Sequence, residues 1–149
     1  MLSSKAKYGL KAMVHLARHE GLGPVLIADI AASERIPKKF LDAILLEMKN
    51  QGLLSSKKGK GGGYVLARPA ARIMVGDIVR VLDGPLAPVP CVSRSAYRRC
   101  EDCADETACA IRAVMQDVRD AIAAILDNTT LADMSNRRGK PESVMMYDI

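Results

Sequence analysis

Aromatic side chains are scarce in this sequence, which has four Tyr, one Phe and no Trp among its 149 residues. Proteins that bind RNA loops or single strands stack bases on aromatic rings, so this composition argues against that class of ligand. The sequence also lacks the run of about 18 apolar residues that a membrane-spanning helix requires. Its first residues, MLSSKAKYGLKAM, carry lysines where a signal peptide is continuously apolar. We therefore expect a cytoplasmic protein with no membrane partner.

Positive charge is concentrated in the first part of the chain. Residues 1–85 hold 14 Lys and Arg against 7 Asp and Glu, whereas residues 86–149 hold 8 against 10. A basic region suits a polyanion such as nucleic acid, although an ordinary solvated surface can have the same composition. Because the aromatic platforms for single strands are missing, double-stranded DNA is the polyanion that the composition favours.

Apolar spacing, together with Gly and Pro, predicts a mainly α-helical fold with one small β-hairpin. The predicted helices are Ser3 or Ser4 to about Glu20, Ile27 to Ser33, Pro37 to Asn50, Val75 to Leu82 and Ala110 to Asp127, and the predicted strands are Leu53 to Ser56 and Tyr64 to Ala67. Three helices followed by a two-stranded wing is the order of a winged helix-turn-helix. In that fold the third helix enters the major groove of DNA.

This pattern divides the chain into four parts. They are a winged helix-turn-helix DNA-binding domain in residues 1–85, a cysteine-containing sensor loop in 86–109, a long dimerisation helix in 110–128 and a C-terminal segment in 129–149. The last segment is polar, basic and contains Pro, so we expect poor order from about Met134. No nucleophile–base pair, carboxylate pair or nucleotide-binding loop is visible, and we expect no catalytic residues and no enzymatic activity.

Two groups of residues are candidate DNA contacts. The exposed start of the third helix offers side chains that can reach base edges or phosphates, because Lys suits guanine acceptors and Asp accepts from a cytosine amino group. The hairpin tip KKGKGGG combines positive charge with small residues, which allow a close approach to a phosphate backbone. The candidates are Lys38, Lys39, Phe40 and Asp42 on the helix and Lys57, Lys58 and Lys60 on the wing.

All four cysteines lie in one short polar loop, with the spacing Cys91-x8-Cys100-x2-Cys103-x5-Cys109. So dense a group in a cytosolic protein indicates metal or redox chemistry rather than a structural disulfide framework. Four thiolates hold iron–sulfur clusters, and the same set holds tetrahedral zinc. Metal-free thiol/disulfide sensing is a third interpretation. The loop is too polar to form part of a core.

Several segments of the sequence resemble a known family. The segments LSSKAKYGLKAM, IADIAASERIPKKFLDAIL, GLLSSKKGKGGGYVLARP and DIVRVLDG are similar to those of the winged-helix regulators typified by the iron–sulfur regulator IscR and the nitric-oxide sensor NsrR. The resemblance covers about residues 1–128, and the wing segment is its most specific part. It implies a homodimeric transcription regulator that binds near-palindromic operators. It also implies that the third-helix residues Lys39, Phe40 and Asp42 face bases, and that Lys58 approaches the minor groove.

The resemblance also implies how the chain dimerises. Members of the family pair through the long helix that follows the cysteine loop. In this chain that helix carries apolar residues at heptad-like spacing, although periodicity alone would also suit an intrachain core. The row consists of Ile111, Met115, Val118, Ile122 and Ile125.

The cysteines depart from the family pattern. Cluster-bearing members use three cysteines, to which Cys91, Cys103 and Cys109 correspond, with a fourth ligand that differs among members. The two usual positions for that ligand hold Arg112 and Lys7 here. Cys100 is additional to the pattern and is the natural substitute. We therefore predict a sequence-specific regulator that senses iron–sulfur or redox status through four cysteines. The expected cofactor is a 2Fe-2S or 4Fe-4S cluster, with a metal-free thiol/disulfide regulator and a zinc-stapled DNA-binding dimer as alternatives.

Overall fold

The computed structural model describes residues 2–137. Its elements are α1 (Ser4–Arg18), α2 (Ile27–Glu34), α3 (Lys38–Asn50), β1 (Leu54–Lys57), β2 (Gly63–Leu66), α4 (Val75–Asp83), α5 (Ala110–Leu126) and α6 (Leu131–Asn136). The predicted fold class is confirmed, since the structure is mainly helical with one antiparallel hairpin. The predicted helices and strands are present, with ends shifted by a residue or two. None of the helices in the described residues is both long and apolar enough to cross a membrane.

The core lies among α1, α3 and α4. Helix α1 begins at Ser3, whose hydroxyl accepts a hydrogen bond from the Ala6 amide at 3.0 Å and so satisfies one of the free donors of the first turn. The buried side chains fall at helical spacing on the facing sides of α1 and α3. The largest fully buried side chains of these two helices are Met13, Leu41, Leu45 and Met48. This packing fixes which side of α3 is left to solvent.

The wing is attached to the rest of the fold by a third strand-like segment. In the hairpin, Leu54 pairs with Leu66 and Lys57 with Gly63. Val25 exchanges two backbone hydrogen bonds with Tyr64, at 2.9 and 2.8 Å. Gly63 has φ +143°, and a Cβ there would lie 2.3 Å from the Val25 carbonyl oxygen. Only glycine fits this close approach, and the base of the wing is therefore held firmly.

The chain returns to the winged helix after α5. The Leu131 amide donates to the Ile73 carbonyl at 2.7 Å, and the Leu131 side chain is fully buried in the core. A capping box between Thr130 and Asp133 starts α6, a signal that supports a helix start in sequence. The expectation of poor order from about Met134 is therefore not met as far as Asn136. The rest of the expected tail lies outside the described residues.

Arg80 and Asp127 join α4 to the end of α5. Both guanidinium Nη atoms donate to the two carboxylate oxygens, each at 2.7 Å. Hydrogen bonding from Arg80 lowers the pKa of Asp127 below its usual value. Such a bidentate pair fixes orientation as well as distance.

We expect this pair to make stability depend on acid pH. Because the folded-state pKa of Asp127 is lowered, its contribution is present above the unfolded value of about 3.9 and is lost as pH falls through the folded value. The side chains are 39% and 38% exposed, so the contribution should be no more than about 1 kcal/mol. Thermal unfolding should show Asp127→Asn less stable than wild type at pH 7 and equally stable near the acid limit. Asp117→Asn is the control, and a difference that persists unchanged in acid would contradict the assignment.

Candidate DNA-binding surface and cysteine cavity

The start of α3 presents four of the predicted DNA contacts to solvent. Lys38, Lys39, Phe40 and Asp42 are all exposed, whereas Leu41 between them is fully buried. Phe40 is 64% exposed, which is unusual for a large apolar ring on an otherwise charged surface. A ring held out in this way can contact a thymine methyl group or a sugar. All four side chains are therefore accessible at the N-terminal end of α3.

The wing lysines are also exposed. Lys57 ends β1, and Lys58 and Lys60 lie in the turn. The turn glycines Gly59 and Gly61 have φ of +91° and +78°, a left-handed conformation that glycine adopts without the steric cost of a Cβ. The sequence thus builds a narrow, positively charged tip that can reach a phosphate backbone.

Tyr64 lies between the two groups and was not among the predicted site residues. It is half-buried at the base of the wing. Burial, and to a lesser extent the nearby carboxylate of Asp42, raise the pKa of its phenol. Tyr64 therefore lies close to the exposed face of α3, although its position in a strand pattern carried no functional signal.

The four cysteines line one cavity of about 420 Å³. Its walls come from the 3₁₀ turn Pro90–Val92, from the following loop and from the start of α5. All four are free thiols. Cys91 is buried, Cys103 and Cys109 are partly buried, and Cys100 is exposed. The structure thus brings the predicted ligand residues to one place, at the junction between the winged helix and α5.

Cys91 and Cys100 lie near each other on the wall of this cavity. Desolvation, followed by the charge and hydrogen bonding of the neighbouring Cys91 thiol, raises the pKa of the Cys100 thiol. The Cys103 amide donates to the Cys100 carbonyl at 3.3 Å, which closes a tight turn between these two residues. Cys109 caps α5, and its sulfur accepts from the Arg112 amide at 3.4 Å. The turn therefore fixes Cys100 relative to Cys103, and the helix cap fixes Cys109 relative to α5.

The two sides of the cavity are held differently. Arg119 of α5 donates to the carbonyl of Val92 at 2.8 Å, so the segment that carries Cys91 is tied to the helix that begins beside Cys109. The loop 98–108 is held by polar contacts, including hydrogen bonds from Arg99 to the Cys103 and Ala104 carbonyls at 3.2 and 3.4 Å.

Two acidic residues of this loop accept hydrogen bonds from other residues of the same segment. Asp105 accepts from the amide and hydroxyl of Thr107 at 2.9 and 2.7 Å, and these bonds lower its pKa. Tyr97 donates its phenol hydrogen to Glu106, and that bond is the main cause of the raised Tyr97 pKa. These carboxylates therefore shape the loop.

Four cysteine thiols are the type of ligand that an iron–sulfur cluster requires. In this structure, however, the four sulfurs do not converge on a single point. Within residues 2–137, no three His, Cys, Asp or Glu side chains are placed to hold one metal ion. A zinc tetrathiolate with bonds of about 2.3 Å would need its sulfurs closely gathered, so the arrangement is not a formed zinc site. Iron–sulfur clusters are commonly held by the same donor set, four cysteine thiolates.

Comparison with known proteins decides the family. The Rrf2 family, described as iron-dependent transcriptional regulators, matches residues 2–137. The chain belongs to the Rrf2 family. An rrf2-like HTH-type regulator of Rhodobacter capsulatus is 40% identical over 151 residues, which covers 99% of this chain and 100% of that protein. The sequence resemblance is confirmed, and so is the expectation of a transcriptional regulator rather than an enzyme.

Two solved structures of Rrf2 proteins are similar over most of their length. CymR of Bacillus subtilis, described as a global cysteine regulator, superposes with a TM-score of 0.76 and 36% identity, covering 91% of this chain and 95% of its own. IscR of T. potens superposes with a TM-score of 0.72 and 34% identity, covering 90% of this chain and 85% of its own. The winged-helix fold and DNA binding therefore follow from the family.

Helix α5 leaves an apolar face of this Rrf2 protein exposed. This face differs from the heptad-like row predicted from sequence. Met115 and Ile122 of that row are partly buried within the chain, whereas Val114, which was not in the row, is exposed. No residue of α5 is fully buried. The exposed apolar residues are Ile111 at 68%, Val114 at 56%, Val118 at 37% and Ile125 at 62%. We refer to these four residues as the α5 apolar face.

Proposed function

We propose that this Rrf2 protein is a homodimer that binds a DNA operator and senses iron–sulfur or redox status through its four cysteines. The main support for this proposal is that all four cysteines line one cavity at the beginning of α5, the helix with the exposed apolar face. In this proposal residues 1–85 bind DNA, 86–109 sense the signal and 110–128 dimerise. A change in the cavity therefore acts where the DNA-binding domain meets the dimerisation helix.

The proposed dimer interface is the α5 apolar face. A row of large apolar side chains along a helix is costly to leave in water and is typical of a surface that pairs with its own copy. Two-fold pairing would set the separation of the two α3 helices, and that separation must match half-sites about one helical turn apart. Dimerisation therefore supports the near-palindromic operator that the resemblance implies.

Cys91, Cys100, Cys103 and Cys109 are the residues that would hold the cluster. When bound, the cluster would supply reversible one-electron chemistry, and its loss would be a signal that the protein can respond to. Cys109 lies at the N-terminus of α5, where its sulfur already accepts a hydrogen bond from the Arg112 amide. Gain or loss of the group would reposition the loop relative to α5. An ordinary allosteric coupling of about 1–3 kcal/mol would change operator affinity by roughly 5- to 150-fold.

Metal-free thiol/disulfide sensing is the second candidate, and the presence of Cys91 and Cys100 as free thiols in one cavity supports it. A hydroperoxide would oxidise one thiolate to a sulfenic acid and leave as the alcohol. The second thiol would then displace water to form the disulfide. This route requires no metal.

Anaerobic purification followed by a visible absorption spectrum with iron and sulfide analysis distinguishes the candidates. The cluster proposal predicts a coloured protein with iron and sulfide bound in stoichiometric amounts. A colourless protein that takes up no iron after anaerobic reconstitution would overturn it. In that case a Cys91–Cys100 disulfide, detected by mass spectrometry after peroxide treatment, would support the second candidate. Stoichiometric zinc with DNA affinity independent of redox state would instead indicate the zinc-stapled dimer.

Replacing Lys58 and Lys60 with alanine should weaken binding to every DNA sequence. Each lost phosphate contact should reduce the slope of log affinity against log salt by about 0.9. Fluorescence anisotropy at several salt concentrations measures this slope. Lys49→Ala, at the far end of α3, is the control. A double variant with the wild-type slope would rule out phosphate contacts by the wing.

Asp42→Asn should change base preference, because an amide offers a donor where the carboxylate only accepts. Its salt slope should not fall, since no phosphate contact is lost. Selection of binding sites from a random DNA pool measures the preference. An unchanged consensus would show that Asp42 does not face a base.

A further inference from the structure

Arg112 has an unpartnered polar atom beside the cysteine cavity. It lies in the first turn of α5 and lines the cavity together with the four cysteines. Its Nε atom is buried from solvent and has no hydrogen-bond partner among the described residues. A guanidinium group stays charged in proteins, and a buried donor without an acceptor is destabilising. The Nε–H therefore calls for an acceptor, and the charge of the half-exposed guanidinium favours an anionic one.

The nearby protein groups do not supply that anion. The Asp105 carboxylate is engaged by Thr107, and the Glu106 carboxylate by the Tyr97 hydroxyl. Arg112 forms no ion pair with a carboxylate in residues 2–137. The remaining candidate is a negatively charged group bound within the cavity itself.

We propose that the Nε–H of Arg112 donates a hydrogen bond to sulfur of the thiolate-held cluster and raises its reduction potential. This inference rests on the proposed iron–sulfur function. Arg112 would be a positioning and tuning residue, not a ligand. Hydrogen bonds to sulfur and local charge are among the factors that set cluster potentials. A cation at this position stabilises the reduced state more than the oxidised state, because the reduced cluster carries one more negative charge.

The proposal predicts opposite effects on the two forms of the protein. Arg112→Met fills similar space without a donor. In the metal-free protein it removes an unsatisfied group, so the melting temperature should be unchanged or higher. In the cluster-loaded protein it removes a hydrogen bond and a favourable charge, so the melting temperature should fall. A residue with a purely structural role would destabilise both forms.

The decisive measurement is an anaerobic redox titration of the full-length, cluster-loaded protein, followed by its visible spectrum. For Arg112→Met, the ratio of reduced to oxidised cluster at the wild-type midpoint should fall about tenfold. That change corresponds to a lower potential by about 59 mV for a one-electron step. Arg112→Lys keeps the charge without the fixed planar donor and should fall in between. Arg98→Met removes one exposed charge from the same loop and is the matched control.

Four results overturn the inference. Equal shifts for Arg112→Met and Arg98→Met would indicate only long-range charge. An unchanged potential in Arg112→Met would show that the donor does not reach the cluster. A lower melting temperature in the metal-free form would show that a protein group, such as one from a second copy, already satisfies the Nε atom. A wild-type protein without iron would remove the proposed function together with this inference, whereas the first three results leave the cluster in place.

Discussion

Replacing Val118 with aspartate should convert the protein to a monomer that no longer binds a two-half-site operator. Val118 lies in the middle of the α5 apolar face, and in a two-fold interface the substitution would bury two unpaired carboxylates. Each carries a desolvation penalty of several kcal/mol. We therefore expect dimer affinity to fall by at least about 1000-fold, since about 1.4 kcal/mol corresponds to a factor of ten.

Analytical ultracentrifugation measures the oligomeric state, and anisotropy with full-site and half-site DNA measures binding. Ala113→Asp is the matched control, because Ala113 is exposed on another side of the same helix. It should leave the dimer intact. Circular dichroism should show both variants folded, since the core excludes α5 side chains. A Val118→Asp variant that remains dimeric would place the interface elsewhere.

Replacing any one of the four cysteines with serine should remove the cluster. Loss of a ligand should lower iron occupancy after reconstitution at least as much as loss of an outer-shell partner, which reduces metal affinity about 10- to 100-fold. Serine preserves the size and polarity of the side chain, so the loop should keep its fold. Iron and sulfide analysis, together with the visible spectrum, measures the effect. Ser95→Ala, on an exposed residue of the same segment, is the control.

Cys100→Ser is the informative member of this series. The three-cysteine pattern that the resemblance implies involves only Cys91, Cys103 and Cys109, so a ligand from elsewhere would leave Cys100 dispensable. Because Cys100 lines the same cavity as the other three cysteines, we expect Cys100→Ser to lose iron as fully as Cys103→Ser does. Full retention of iron and spectrum would exclude Cys100 as a ligand.

Elements with strong local signals could be predicted from sequence. Helices α1 and α3 combine apolar spacing with clear end signals, and the glycine-rich tip between Lys57 and Gly63 defines the hairpin. The exposed charged start of α3 followed from the same periodicity, because burial of Leu41 turns its neighbours outward. Local sequence determines these features, so tertiary contacts alter only their ends.

Features that depend on contacts distant in sequence could not be predicted. The α6 segment is ordered because Leu131 enters a core built by residues far earlier in the chain. The division of the α5 row into partly buried and exposed positions depends on how α5 lies against the 3₁₀ turn Pro90–Val92, and periodicity does not contain that information. The shared cavity of the four cysteines and the unpartnered Arg112 Nε likewise arise from the path of a loop without regular structure.

The bond from Arg119 to Val92 has a kinetic consequence. It links the segment that carries Cys91 to α5, which Cys109 caps, whereas Cys100 and Cys103 belong to a strip of mostly exposed residues, 98–108, that is held by polar contacts. Such a strip should open locally far more often than the whole domain unfolds. Binding and loss of a group held by the thiols would then depend on how often this strip opens, while the DNA-binding domain stays folded. Hydrogen exchange should show fast amides in 98–108 next to slow ones in α5.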